Sequence, residues 1–244
     1  MCSCSESWRQ PAGRSTGYPV YAKAVVRGLL LDFYGTVVED DDAVVAAIAA
    51  RVATDATTPV TPEAVAAAWM REFATVAEGP PFRLLRDSAP ESLARVMAEV
   101  GCPGDAAALY AAHHANWGLP PLRPGTRKFL TGLRLPVCVL SDADRADLAA
   151  VVAHHDLAFT AVVTSEDVGA YKPDGAMFRR ALAALGLAAD EVLHVGDSLR
   201  TDVAGAHEAG IRAVWVNRHG MPAPADAPVT HEITDLTGLT TILR

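Results

Sequence analysis

None of the four cysteines, Cys2, Cys4, Cys102 and Cys138, forms a C-x-x-C pair, and their separations build no regular framework. A disulfide scaffold and a thiolate metal site are set aside on that ground, and reduced thiols in a cytoplasmic protein are the expectation. No stretch reaches ~18 apolar residues without a charge, so a transmembrane helix and a membrane partner are not expected. Residues 1–23 mix Ser, Arg, Gly and Pro without the apolar centre of a signal peptide, and read as a flexible leader. Basic charge is not in excess either: 21 Lys and Arg stand against 29 Asp and Glu, a formal net charge of -8. Nucleic acid and anionic lipid are therefore disfavoured as partners.

What is present is a chain of 244 residues, 50% of them hydrophobic, enough for one large core and a smaller unit beside it. From Ala24 a branched apolar run, A-V-V-R-G-L-L-L, ends abruptly at D-F-Y-G-T. This pattern predicts a buried strand followed by a tight turn. Similar runs lie at Pro136 to Leu140, Ala161 to Val163, Glu191 to Val195 and Arg212 to Val216. Between them are Ala- and Leu-rich stretches, Arg145 to His155, Gly175 to Leu185 and Arg200 to Ala209, with Gly186 and Gly210 where helix C-caps would fall. That alternation predicts an α/β fold with a Rossmann-like parallel sheet and crossover helices, and ligands at the carboxyl ends of the strands.

The stretch 39–122 has a different texture. Helical runs at Asp42 to Thr54, Thr61 to Ala77, Pro90 to Val100 and Asp105 to Trp117 occur there without a convincing strand. It reads as an all-helical insertion, with Pro120, Pro121 and Pro124 marking the return to the core near Arg123. The expected division is a core of 24–38 and 123–244 with a helical cap of 39–122.

Four strand-end signals follow in order: Asp32-Phe33-Tyr34-Gly35-Thr36, Ser141-Asp142, Lys172-Pro173-Asp174, and Gly196-Asp197-Ser198 with Asp202 after it. In this order, over roughly residues 24 to 218, they resemble the haloacid dehalogenase-like superfamily of hydrolases. The resemblance implies a catalytic Asp32 and Lys172, substrate contacts at Thr36, Ser141 and Asp142, and a metal held by Asp32, the Tyr34 carbonyl and Asp197. Asp202 would either stand behind those ligands or cap the next helix.

The chemistry of the residues is consistent with those roles. A carboxylate leaving a strand at a Gly-permitted turn can attack an electrophile in line, and Lys172 supplies a point charge suited to phosphate. Asp32, Asp197 and Asp202 set three negative charges against one lysine, and a phosphate monoester brings about two more. One Mg²⁺ restores the balance, so the expected partner is a small-molecule phosphate ester and the expected cofactor Mg²⁺.

One position departs from the family pattern. Phosphatases of this superfamily usually carry a second Asp two residues after the first, as acid and base; here that residue is Tyr34. Dehalogenases share the D-x-Y-G-T form, because halide leaves without a proton, but they resemble one another in lacking the acidic Gly-Asp that this chain keeps as Gly196-Asp197. Phosphonate hydrolases use a cap lysine, and residues 39–122 contain none. The favoured reading is a Mg²⁺-dependent phosphatase with Tyr34 in place of the usual acid. A 2-haloacid dehalogenase, and a non-catalytic binding relative, are the alternatives. Arg71, Arg83, Arg86, His113, His114, Asn116 and Trp117 are the cap residues available to read the leaving group. The run Glu39 to Asp42 reads as a flap and helix N-terminus rather than a metal cluster.

Overall fold

The computed structural model describes residues 25–77 and 81–243; the leader, Cys2 and Cys4 lie outside the described residues, as do the side chains of Asn116 and Trp117. Six strands form one parallel sheet: β1 (Gly28–Leu31), β2 (Val137–Ser141), β3 (Ala161–Thr164), β4 (Val192–Gly196), β5 (Arg212–Val216) and β6 (Val229–Ile233). Their order is β3-β2-β1-β4-β5-β6. The chain builds outward from β1 to one side, then crosses back to build outward on the other, so the switch lies between β1 and β4. In such sheets the crevice outside the strand ends at the switch is where ligands bind. Asp32 follows β1 there and Asp197 follows β4.

Residues alternate across the sheet because successive side chains on a strand point to opposite faces. Leu29 and Leu31 pack with Phe129, Leu148 and Val151 on one side, while Leu30 packs with Met177, Phe178 and Ala181 on the other. β1, β2 and β4 are buried throughout, as expected for strands covered on both faces.

The segment after β1 forms four helices, α1 (Asp42–Asp55), α2 (Pro62–Ala77), α3 (Leu85–Glu99) and α4 (Ala106–Trp117), around a separate core that includes Ile48, Val52, Trp69, Leu93 and Val96. The remaining helices are α5 (Thr126–Gly132), α6 (Arg145–His154), α7 (Ser165–Val168), α8 (Gly175–Leu185), α9 (Gly205–Glu208) and α10 (Leu239–Ile242).

Three expectations are corrected. α3 starts at Leu85, not Pro90, because the buried Asp144 carboxylate after β2 accepts the Leu85 and Arg86 N–H groups at 2.9 and 3.0 Å. A helix start is thus capped from another part of the chain, which local sequence does not reveal. The helix expected over Arg200 to Ala209 divides into a π-helical turn, Leu199–Ala204, and α9. Finally, β6 was not anticipated: Val-Thr-His-Glu-Ile is an edge strand whose middle three residues are exposed, so it lacks the apolar run that marks the inner strands.

Candidate active site

The turn after β1 is tight because Val37 and Val38 both return an N–H to the Phe33 carbonyl, at 2.8 and 3.1 Å. Gly35 takes φ +84° there, and a Cβ at this residue would lie 2.3 Å from Asp197 Oδ2. Glycine is therefore required twice, once for the backbone and once for the approach of the second carboxylate.

Lys172 is the centre of the charge arrangement. Its ammonium donates to Asp32 Oδ1 and to Asp202 Oδ1, each at 2.7 Å, and all three side chains are buried. Asp202 Oδ1 also meets His194 Nε2 at 2.9 Å, and its Oδ2 accepts the Ser198 N–H at 3.1 Å. Asp202 thus serves the lysine and the start of the π-helical turn together. Such π turns recur at functional sites, where they re-aim one side chain. His194 enters from β4, buried, with its ring edge-on to Phe178. Its adjacency to Asp202 was missed by sequence reasoning, since a histidine within an apolar strand gives no signal of its partner.

Electrostatics separates the carboxyl groups. Burial raises Asp32 to about 6, against the opposing pull of Lys172. Burial and the charges of Asp32 and Asp202 put Asp197 well above the usual range. For Asp202 burial acts upward too, but Lys172 and His194 overcome it and hold the group below the ordinary value. Burial would lower Lys172, yet Asp202, Asp32 and Asp142 keep its affinity for the proton well above normal. The ammonium is therefore permanent at neutral pH, and it restrains Asp32 as an anion.

Asp32, Asp197 and Asp202 each offer a carboxylate oxygen within 4.8 Å of the others. Asp32 Oδ2 is buried without a hydrogen-bond partner among the described residues, which fits a hard cation completing its contacts. Asp197 fits as the second ligand, whereas both oxygens of Asp202 are already engaged. A cation missed by sequence reasoning lies close by: Arg218, just after β5, has Nη2 3.2 Å from Asp197 Oδ2. The balance of three carboxylates against one lysine is amended accordingly.

These groups open onto a cavity of about 280 Å³. Ser141, Asp142, Ser198 and Arg200 line it, as do Tyr34, Asp41, Tyr110 and Asp147. Ser141 Oγ accepts the Ala143 N–H at 3.3 Å. Asp142, expected to face the substrate, spends Oδ1 on the Lys172 N–H at 2.8 Å, so it anchors the lysine loop as well as lining the cavity. Thr36 does not reach the cavity; its side chain is buried in the turn. Burial, Asp147 and Asp41 push the Tyr34 phenol upward, so it stays protonated and can donate but not take up a proton.

Of the insertion residues proposed to read the leaving group, His114 alone among the described side chains lines the cavity; Phe73, Ala74, Leu85 and Tyr110 do so as well. Arg83 is paired with Glu91, and Arg86 lies 3.3 Å from Asp144, so both hold the helices rather than face the site. The insertion meets the core again at Tyr171, whose hydroxyl donates to the Arg83 carbonyl at 2.8 Å.

Comparison with known proteins fits this architecture. Residues 26–210 match the family model described as haloacid dehalogenase-like hydrolase. The chain belongs to that family. It is similar to phosphoserine phosphatase of Thermus thermophilus, 38% identical over 144 residues, covering 56% of this chain and 57% of the relative. It is also similar to (S)-2-haloacid dehalogenase H-109 of Pseudomonas putida, 29% identical over 152 residues, covering 60% of this chain and 67% of the relative. The matched region thus spans little more than half of the first relative. Among solved structures, the L-2-haloacid dehalogenase RSc1362 superposes with a TM-score of 0.73 at 23% identity, over 90% of this chain and 99% of that one, a likeness of fold. The hydrolase is therefore similar to enzymes of both chemistries, and among the described residues no helix is long and apolar enough to cross a membrane.

Proposed function

We propose that this hydrolase is a Mg²⁺-dependent phosphatase of a small phosphate monoester, with Asp32 as nucleophile and helices α1–α4 as its cap. The observation that carries the reading is the state of the Asp32 carboxylate, which lines the cavity: Oδ1 is held by Lys172 at 2.7 Å and Oδ2 is buried without a hydrogen-bond partner among the described residues. A carboxylate oriented by Lys172 has one oxygen to offer phosphorus and the other to offer a cation. Asp32 forms the new O–P bond as the ester P–O bond breaks and the leaving oxygen departs as an anion; water then cleaves the aspartyl phosphate, one of its protons ending on that oxygen and the other on the phosphate released, and the carboxylate is returned. Lys172 and Ser141 face the transferred group and complement its negative charge. Asp32 and Asp197, with the Tyr34 carbonyl, would hold Mg²⁺, which supplies charge neutralisation and polarises the phosphoryl oxygens.

Six carboxylates, Asp32, Asp41, Asp142, Asp147, Asp197 and Asp202, line the cavity with Lys172 and Arg200. An anionic substrate entering such a wall needs a further cation, which favours the metal-assisted reading. Tyr34 favours the second reading, a 2-haloacid dehalogenase in which Asp32 attacks carbon and halide leaves without a proton.

Phosphate release from an aryl phosphate, measured with Mg²⁺, with chelator and in Asp32→Asn, tests the proposal. Release that needs both the ion and Asp32 supports it. Chelator-resistant halide release from a 2-haloacid, with no phosphate release, overturns it.

A further inference from the structure

The guanidinium of Arg218 is shared by three carboxylates. Nη2 lies 3.2 Å from Asp197 Oδ2 and 3.5 Å from Asp42 Oδ2, and it is in direct contact with Asp40 Oδ2. The Arg218, Asp40 and Asp197 side chains are 15%, 17% and 20% exposed, so their interaction is only partly screened, whereas Asp42 is 72% exposed and contributes little. Asp40 belongs to the linker between β1 and α1. One nitrogen therefore joins the end of the sheet, the acidic site and the entry to the helical insertion.

This position is built. The buried Asn217 donates its side-chain amide to the Met221 carbonyl and Glu232 Oε1, at 2.8 and 2.7 Å, and accepts the Met221 N–H at 2.9 Å. Its own N–H donates to the Ile233 carbonyl at 2.7 Å. The loop that carries Arg218 is thus clamped to β6. On the other side, the missing Cβ of Gly35 lets Asp197 Oδ2 lie against the turn. Asp197 is held between a glycine and a guanidinium.

We propose that Arg218 is the built-in counter-cation of Asp197: it holds that carboxylate beside Asp32 in the metal-free protein and competes with a divalent cation for it, while Asp40 draws the same guanidinium toward the linker. The inference rests on the metal reading given above. Its physical basis is that a carboxylate oxygen paired with arginine is a weaker ligand than an unpaired one, and that a fixed positive charge a few ångström away opposes a second cation. Arg218 is a positioning residue in this account, since it acts through Asp197.

The test is calorimetric titration of the full chain with Mn²⁺ and Mg²⁺, without substrate. Arg218→Met is expected to tighten cation binding by about tenfold, the scale of one unit charge removed near a partly exposed site. Asp40→Asn, which leaves more of the guanidinium to Asp197, is expected to weaken it several-fold. Metal-free Arg218→Met should melt below the wild type and gain more in melting temperature from Mg²⁺. A merely structural arginine predicts weaker binding in both variants, so unchanged or weaker binding in Arg218→Met overturns the inference while leaving the metal reading intact. If that variant does not fold, Arg218→Gln decides, with tighter binding expected and unchanged or weaker binding overturning the inference. No cation binding by the wild type or by either variant overturns the metal reading and the inference together.

Discussion

Lys172 Nζ donates to Asp32 and Asp202 with equal distances of 2.7 Å, so one buried ammonium is shared by two buried carboxylates, one just after β1 and one in the π-helical turn after β4. Removing one member of such a group leaves an uncompensated charge, which costs more than the pair contributes when intact. Lys172→Met is expected to destabilise the fold by about 3 to 5 kcal/mol in urea unfolding and to abolish turnover. Lys172→Met combined with Asp202→Asn should recover part of the stability and none of the activity. Equal stability of the single and double variants would show that the charges are not coupled in this way.

Gly35→Ala should be among the most damaging small substitutions in the core. The added methyl would meet Asp197 Oδ2 at 2.3 Å, and the residue sits at φ +84°, where L side chains are strained. Displacement of Asp197 is expected to weaken Mg²⁺ binding by at least tenfold, with a stability loss of about 1 to 3 kcal/mol. Titration calorimetry and thermal unfolding read the two effects separately.

Tyr34→Asp tests the departure from the family pattern. The phenol stays protonated in this wall, so it cannot activate water, and general acid–base help is commonly worth about 10² to 10⁴ in rate. A carboxyl group placed near Asp41 and Asp147 would be raised toward the range of a useful acid. Turnover of alkyl phosphates should rise relative to aryl phosphates, whose leaving groups need no proton. An unchanged ratio would show that proton transfer does not limit the wild type.

Asp142 gives the fold a pH dependence with a defined sign. Burial raises it from 3.8 to about 6, against Lys172 and its N–H. A carboxyl whose folded value lies above its unfolded one contributes stability that is complete below the unfolded value and lost as pH rises through the folded one. Between about pH 4 and pH 7, Asp142→Asn should therefore gain steadily on the wild type in urea unfolding. A constant difference across that window would contradict the shift.

The acidic wall of the cavity predicts selectivity. Asp41 and Asp147 form no ion pair with a lysine or arginine among the described residues, and they line the cavity beside Tyr34 and Tyr110. A leaving group that carries a second phosphate would be repelled there. Monophosphates with neutral or cationic alcohols should exceed the matching bisphosphates in kcat/KM by about tenfold or more, given the cost of like charges at short range. A metabolite panel with matched pairs checks this.

Much of the fold was legible because inner parallel strands write themselves as apolar runs and their helices as alternating stretches. The four insertion helices were placed to within a few residues, apart from α3. Its start is capped by Asp144, which is 59 positions from Leu85. The cavity wall was read poorly: arginines were the obvious candidates, but Arg83 and Arg86 pair with acids elsewhere, and Tyr110 and Asp147 carry no motif.

The division follows from the range of the interactions. The sequence by itself determined what local patterns encode: the sheet class, the turn after Asp32 with its obligatory glycine, the strand end that presents Asp197 and the Lys-Pro loop that carries Lys172. Tertiary structure alone decided which charges meet. Arg218 reaches Asp197, His194 reaches Asp202, and Asp142 anchors the lysine loop, because a parallel sheet gathers the ends of β1, β2, β4 and β5 at one edge. Pairings between side chains from separate strands leave no trace in the spacing along any one of them.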